Sequence, residues 1–455
     1  MLSLFGQPGA GHCDGTTRRD VLRIGSLGAA GLSLSNMLAD RSQARAAGAS
    51  APDTSVIWLF LAGGVSQIET FDPKMSAPAE IRSVTGEVAT ALPGVTFGGN
   101  FPKLATLADK IAVFRSFAHT NSSHQGGRHY VMTGYDDPAI NGGANAKRPG
   151  FGAFTAKARG PNHPVSGMPT YVRLGGTVIG DGPAYLGPSF GPFDPEGEAV
   201  DNLRLNAPLH RLDDRRRLLS DLDRLRREVD ARHLLDGLSD FEQQAFDLVL
   251  GKAPQAFDLR HEDPQLVARY KQAVHVRTNR AGLPSVASPG EWLLRARRLC
   301  EAGCGFVNIV WTGWDHHGVN GTYQIKDGMD QMGPVLDHAV ATFVEDLYQR
   351  GLERKILLVI TGEFGRTPRI SAAAGRDHWA PLSTLALVGG GLNMGQVIGK
   401  SSSKAEVPAT TPYGPRDLMA TIFEVLGMDR QMKLTDREGR PIIVLEDGRP
   451  VPELF

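Results

Sequence analysis

Three short runs of this sequence bring carboxylates and imidazoles together. Asp315, His316 and His317 stand in Thr312-Gly313-Trp314-Asp315-His316-His317-Gly318. Glu363 stands in Gly362-Glu363-Phe364-Gly365-Arg366-Thr367, and Asp377 and His378 in Gly375-Arg376-Asp377-His378-Trp379. Two further polar runs are His119-Thr120-Asn121-Ser122-Ser123-His124-Gln125-Gly126-Gly127-Arg128-His129 and, behind Gly63-Gly64, the residues Ser66, Glu69 and Asp72. Carboxylate charge offsets a dication and neutral imidazole completes its coordination, so such a set suits a hydrolytic metal centre. Taken singly, each run has a plainer reading. An isolated histidine is more often a surface or core residue, and an Asp-His pair also serves to cap a loop. The runs together hold six of the thirteen histidines (119, 124, 129, 316, 317 and 378), and that coincidence argues for a polar functional site. Adjacent His316 and His317 would face opposite ways in a strand, so only a loop lets both bind one ion. One is expected as a ligand and the other as a supporting or substrate contact.

The elements that must carry these runs are legible as apolar stretches. Ser55–Ala62 (SVIWLFLA) is continuously apolar and ends at Gly63-Gly64, the pattern of a buried, parallel strand. Residues 111–117, 306–311, 355–361 and 382–388 repeat it, and helical spacing appears over 288–302, 333–349 and 417–426. Strands alternating with helices predict an open, mostly parallel sheet covered on both faces, with ligands at the carboxyl ends of its strands. Residues 136–195 are rich in Gly, Pro and Asn and are expected to be long loops near the site. Leu218, Leu222, Leu225 and Val229 form an apolar stripe on a highly charged helix, so 196–287 is expected to be a helical insertion or cover.

The chain has 455 residues with 49 basic and 49 acidic side chains, a balance that excludes an extended nucleic-acid surface or a polybasic membrane surface. Arg18-Arg19 precede a mild apolar stretch ending in Ala44-Arg45-Ala46, the signature of a twin-arginine (Tat) export signal over 1–46. That stretch is too short and weakly apolar for a stable membrane span. The Tat machinery is thus an expected partner, and the mature protein, 47–455, is expected in the periplasm or outside the cell. Removal of 1–46 leaves 44 basic against 46 acidic residues, so attraction for an anion must be local. It also removes Cys13. Cys300 and Cys304 lie on one helical face and read as small packed residues, with a disulfide the alternative. Gly389-Gly390-Gly391 lacks the GxGxxG spacing of a dinucleotide site and reads as a turn.

Several blocks in order, LAGGVSQIETFDPK, HTNSSHQGGRHYVMTGY, WTGWDHHGVN, ITGEFGRTPRI, GRDHWAPLSTLALVGGG and YGPRDLMATIFEVLGM, resemble the alkaline phosphatase and sulfatase superfamily. Within it they are most similar to the exported proteins grouped as domain of unknown function 1501. The resemblance spans roughly 55–430 and implies a three-layer α/β/α sandwich with a mostly parallel central sheet. It also implies hydrolysis of sulfate or phosphate esters, with an anionic ester or sulfated glycan as substrate. A divalent ion (zinc, calcium or magnesium) would be held by Asp72, Asp315, His316, His317, Glu363, Asp377 and His378. The superfamily's nucleophile element, Cys/Ser-x-Pro-x-Arg running into Thr-Gly, is matched here by Arg128 and Thr133-Gly134. Its nucleophile position falls on His124, with Ser122 and Ser123 just before. Ser123 or His124 would attack and Arg128 would steady the anion. The superfamily's first strand ends in metal-binding acids where this one has Gly63-Gly64, and the missing acids and cysteine leave a non-catalytic binding protein on the same scaffold as the alternative.

Overall fold

The computed structural model describes residues 53–195, 253–278, 284–436 and 438–455. The expected export signal, and residues 196–252 of the expected insertion, lie outside the described residues. A seven-stranded sheet forms the centre. Its strands in chain order are β1 (Ser55–Ala62), β2 (Ala112–Phe114), β3 (Tyr171–Leu174), β6 (Phe306–Thr312), β7 (Ile356–Thr361), β10 (Leu385–Gly389) and β11 (Gln396–Ile398). A hairpin, β4 (His275–Thr278) and β5 (Pro284–Ala287), and a two-stranded ladder, β8 (Gly365–Arg366) and β9 (His378–Trp379), lie outside it. The sheet order is β11-β2-β10-β7-β1-β6-β3. β10 runs antiparallel to both neighbours and every other pairing is parallel.

Alternation along β1 explains the layers. Ile57, Leu59 and Leu61 enter one buried cluster, whereas Val56, Trp58, Phe60 and Ala62 enter another. Successive strand residues point to opposite faces, so a strand that is apolar throughout must be covered twice. The first face is covered by α3 (Pro289–Glu301) and α4 (Ile325–Gln349). The second is covered by α1 (His124–Thr133), α2 (Phe151–Arg159) and α5 (Pro415–Leu426). The architecture is a three-layer α/β/α sandwich around a mostly parallel sheet.

Differences from the expected elements have local causes. Residues 136–195 are not all loop: α2 and β3 lie within them. Short elements between Gly and Pro punctuation carry too little periodicity to stand out. α4 begins at Ile325, eight residues earlier than its apolar spacing suggests, and continues through Pro334. The described part of the expected helical insertion, 253–278 and 284–287, holds short helices and both strands of the hairpin. Cys300 and Cys304 are both buried and form no disulfide. Among the described residues no helix is long and apolar enough to cross a membrane.

One buried ion pair pins the loop that leads into β9. Glu69 and Arg376 are both fully buried, with Arg376 Nη2 2.9 Å from Glu69 Oε1. Ser83 and the Val84 backbone N–H donate to the other carboxylate oxygen. The guanidinium also donates to the carbonyls of Ile81, Arg82 and Thr367. Removing one charge would leave the other buried and uncompensated. Glu69→Gln is therefore expected to destabilise the protein by about 3–5 kcal/mol in urea denaturation. A loss below about 1 kcal/mol would contradict this role.

Candidate metal centre

The polar runs meet where β1, β6 and β7 end. Asp315 and His317 lie in the loop after β6, Glu363 follows β7, His378 opens β9, and His124 opens α1 behind its N-cap Ser123. Ladder pairing sets Arg366 of β8 directly opposite His378. Four of these side chains, His124, Asp315, His317 and His378, each present a ligand atom such that all four atoms lie within 4.8 Å of one another, and they could hold a metal ion.

The hydrogen bonds behind the imidazoles give this cluster its chemical character. His124 Nδ1 lies 2.7 Å from Glu363 Oε1, His317 Nδ1 2.8 Å from Asp377 Oδ1, and His378 Nδ1 3.0 Å from the Ser122 carbonyl oxygen. Each of those partners accepts, so each Nδ1 carries a proton, and in the neutral ring each Nε2 keeps its lone pair. The Nε2 atoms then face inward. Those of His317 and His378 are 2.9 Å apart, and Asp315 Oδ1 is 2.8 Å from the first and 3.3 Å from the second. His124 Nε2 lies 3.4 Å from Asp315 Oδ2. With the Nδ1 protons so placed, three neutral imidazoles and the Asp315 carboxylate present four electron-pair donors to one another and no hydrogen to share. A cation at their centre satisfies all four, so the residues fit a metal.

Electrostatics reinforce the arrangement. Burial would raise Asp315, but the three imidazoles packed around it and the charge of Arg366 hold it well below the usual carboxylate range. Glu363 is completely buried, and burial would likewise raise it. The hydrogen bond from His124 and the charge of Arg128 outweigh that and keep it ionised. Both of its oxygens also accept from the Gly63 N–H at 2.9 Å, and Arg128 Nε donates at 3.0 Å. Burial lowers His378, whereas the neighbouring Asp315 carboxylate raises His317. Gly63 is required here. Its φ is +123°, and a Cβ would stand 2.5 Å from the Asp315 nitrogen.

Not every expected ligand faces the cluster. Asp72 pairs with Lys74 at 3.2 Å and Arg115 at 3.3 Å and accepts from Ser401, so its oxygens are committed elsewhere. His316 turns away from His317 into the core, packed over Gly328 on α4. Burial pushes its pKa down to about 3. Glu363 and Asp377 stand behind His124 and His317 rather than among the inward-facing atoms. His124, considered as an attacking group, has its Nε2 in the cluster. Ser123 caps no backbone N–H of α1, and Ser122 Oγ accepts from the Ala380 N–H. Arg366 and Phe364 also stand at the cluster. The Phe364 ring packs against His124 and His378, with centroids 5.2 and 4.3 Å apart. Nothing in an isolated Gly-Arg or Glu-Phe pair announces such burial.

A family model described as "Protein of unknown function (DUF1501)" matches residues 53–455. The chain belongs to that family. No match was found among the curated proteins compared. Among solved structures the chain is similar to PsFucS1 sulfatase from Pseudoalteromonas sp., with 13% identity, 87% of this chain and 72% of that chain covered, and a TM-score of 0.40. It is similar also to the phosphonate monoester hydrolase SpPMH from Silicibacter pomeroyi, with 11% identity, 88% and 76% covered, and a TM-score of 0.41. A putative sulfatase from Bacteroides thetaiotaomicron shows 10% identity, 88% and 74% covered, and a TM-score of 0.36.

For this DUF1501 chain, competition against a chelator of known affinity should report one divalent ion bound per chain. His378→Ala should abolish that binding. Asp377→Ala removes only the acceptor behind His317 and should weaken it by about 10–100-fold. Unchanged affinity in the Asp377 variant would refute its orienting role.

Proposed function

We propose that this protein is an exported, metal-dependent hydrolase of sulfate or phosphate esters, sent out by the Tat pathway to the periplasm or beyond. The observation that carries the reading is the inward-facing set of three imidazole nitrogens and one carboxylate beside a guanidinium-lined cleft. The cleft has a volume of about 420 Å³, and His124, Arg128 and Asp315 line it together with Gly63. Three nitrogen donors and one oxygen suit zinc or another first-row divalent ion better than calcium or magnesium, which favour oxygen shells. When bound, such an ion supplies Lewis-acid polarisation of the ester oxygens and positive charge against the developing oxyanion.

The chain's own groups perform the rest. Three carboxylates (Asp315, Glu363, Asp377) against two guanidinia (Arg128, Arg366) leave the site one negative charge with neutral imidazoles. A divalent ion reverses that sign and makes the cleft attractive to an anion. Among the described residues Arg128 is held by Glu363 through Nε only, which leaves its terminal nitrogens to donate to ester oxygens. Ser123, at the start of α1 and next to His124, is the side chain assigned to attack. Its attack would form an Oγ–S or Oγ–P bond as the bond to the alcohol oxygen breaks, and water would then cleave that new bond, releasing inorganic sulfate or phosphate and restoring the serine, so that the net reaction adds one water to the ester.

The second reading is a binding protein that uses the same cleft for an exported glycan or protein. It is favoured by one observation: among the described residues no base is hydrogen-bonded to the Ser123 hydroxyl, and a serine nucleophile needs one or a metal to take its proton. A panel of 4-nitrophenyl sulfate and phosphate with metal-loaded mature protein separates the two. Turnover that is lost on chelation, and lowered at least about 100-fold by Ser123→Ala, is expected. Metal-loaded protein that binds the esters but turns over none of them would establish the binding protein instead. Arg128→Gln is expected to raise KM about tenfold or more, because a charge-assisted contact to the anion is lost.

A further inference from the structure

The cleft that opens on the metal cluster has a second wall, built by the β4–β5 hairpin. His275 and Arg277 are two residues apart in β4, a spacing that places them on one face of the strand. Both line the same cleft as His124, Arg128 and Asp315. Arg277 is held in place without being neutralised. Its guanidinium lies over the Tyr323 ring, 4.9 Å from the centroid, and Nη2 donates to the Gly321 carbonyl at 2.5 Å. Among the described residues no carboxylate pairs with it, whereas the charge of Arg128 is offset by Glu363 at 3.0 Å. A half-buried guanidinium with a fixed stacking partner and no counter-charge is a receptor for an anion.

His275 adds an independent sign of a missing partner. Only 7% of it is exposed, and its buried Nε2 has no hydrogen-bond partner among the described residues. An unsatisfied buried polar atom is costly, and native proteins tolerate few of them outside sites that receive a ligand or water. The Arg277 position is near the metal cluster but distinct from it. A Cβ built on Gly313, two residues before Asp315, would lie 4.0 Å from Arg277 Nη1. Both places open on the same cleft of about 420 Å³.

We propose that Arg277, supported by His275, forms a second anion subsite in this cleft. The substrate would then carry a sulfate, phosphate or carboxylate in addition to the ester presented to the metal cluster. The inference rests on the ester-hydrolase reading for what occupies the first place, but the binding of a second anion is testable without turnover.

Sulfonates provide the probe, since their C–S bond is not an ester and is not hydrolysed. Calorimetric titration of the metal-loaded mature protein would compare propane-1-sulfonate with a series of α,ω-disulfonates from propane to hexane. At least one disulfonate is expected to bind about tenfold or more tightly than the monosulfonate, as one charge-assisted contact would provide. In Arg277→Gln that preference should fall to within about twofold, with metal content retained. His275→Gln, a smaller change in a packed position, should reduce it by about threefold and stands in if the Arg277 variant does not fold. Equal binding of mono- and disulfonates by the unaltered protein, or a preference that survives Arg277→Gln, would overturn the proposal. If a disulfonate preference depends on Arg277 while no ester is turned over, the subsite stands and the hydrolase reading fails.

Discussion

A single buried guanidinium holds the site together. Arg366 is fully buried, and its nitrogens donate to the carbonyls of Gly63, Gly64, Trp314 and Arg376 and to Asp315 Oδ1 at 2.7 Å. Those partners belong to the turn after β1, the loop after β6 and the segment leading to His378. Three chain segments distant in sequence thus share one rigid, planar set of five donors. Burial penalises the charge and lowers the Arg366 pKa, while Asp315 opposes the fall. The same Asp315 lies against the three inward imidazoles, so it is both the counter-ion of the guanidinium and part of the candidate metal centre.

This linkage explains why the first strand can end in glycine instead of an acid. Gly63 gives its N–H to Glu363 and its carbonyl to Arg366, and its backbone passes so close to Asp315 that a side chain has no room. The Gly-Gly turn is a packing requirement of the cluster. Negative charge comes instead from the loops after β6 and β7, and one of those carboxylates, Glu363, acts through His124. Each inward imidazole is backed by an acceptor at Nδ1, and preorganisation of this kind costs nothing further when an ion binds.

The sequence-based expectations were sound where a signal is local and repeated. β1 matches its apolar run residue for residue, and β6 and β7 differ from theirs by one residue. A strand apolar throughout can only lie between two covering layers, so the sandwich was legible too. β3 and β11, short and at the sheet's edges, were not, because three or four residues cannot display a period. Within the site, Asp315, His317 and His378 were legible as polar residues flanking strands.

Which of the polar residues meet was settled by the tertiary structure. His316 and His317 are adjacent and chemically identical, yet one packs on Gly328 and the other joins the cluster, because the loop after β6 turns their rings apart. Asp72 has the right chemistry but lies among Lys74, Arg115 and Ser401. Glu363 and His124, 239 residues apart, become partners only because α1 begins where β7 ends. Residue type determined what chemistry this protein could support. The choice of ligand, support and wall depended on contacts between distant segments, and those distances come into being only when the sheet closes.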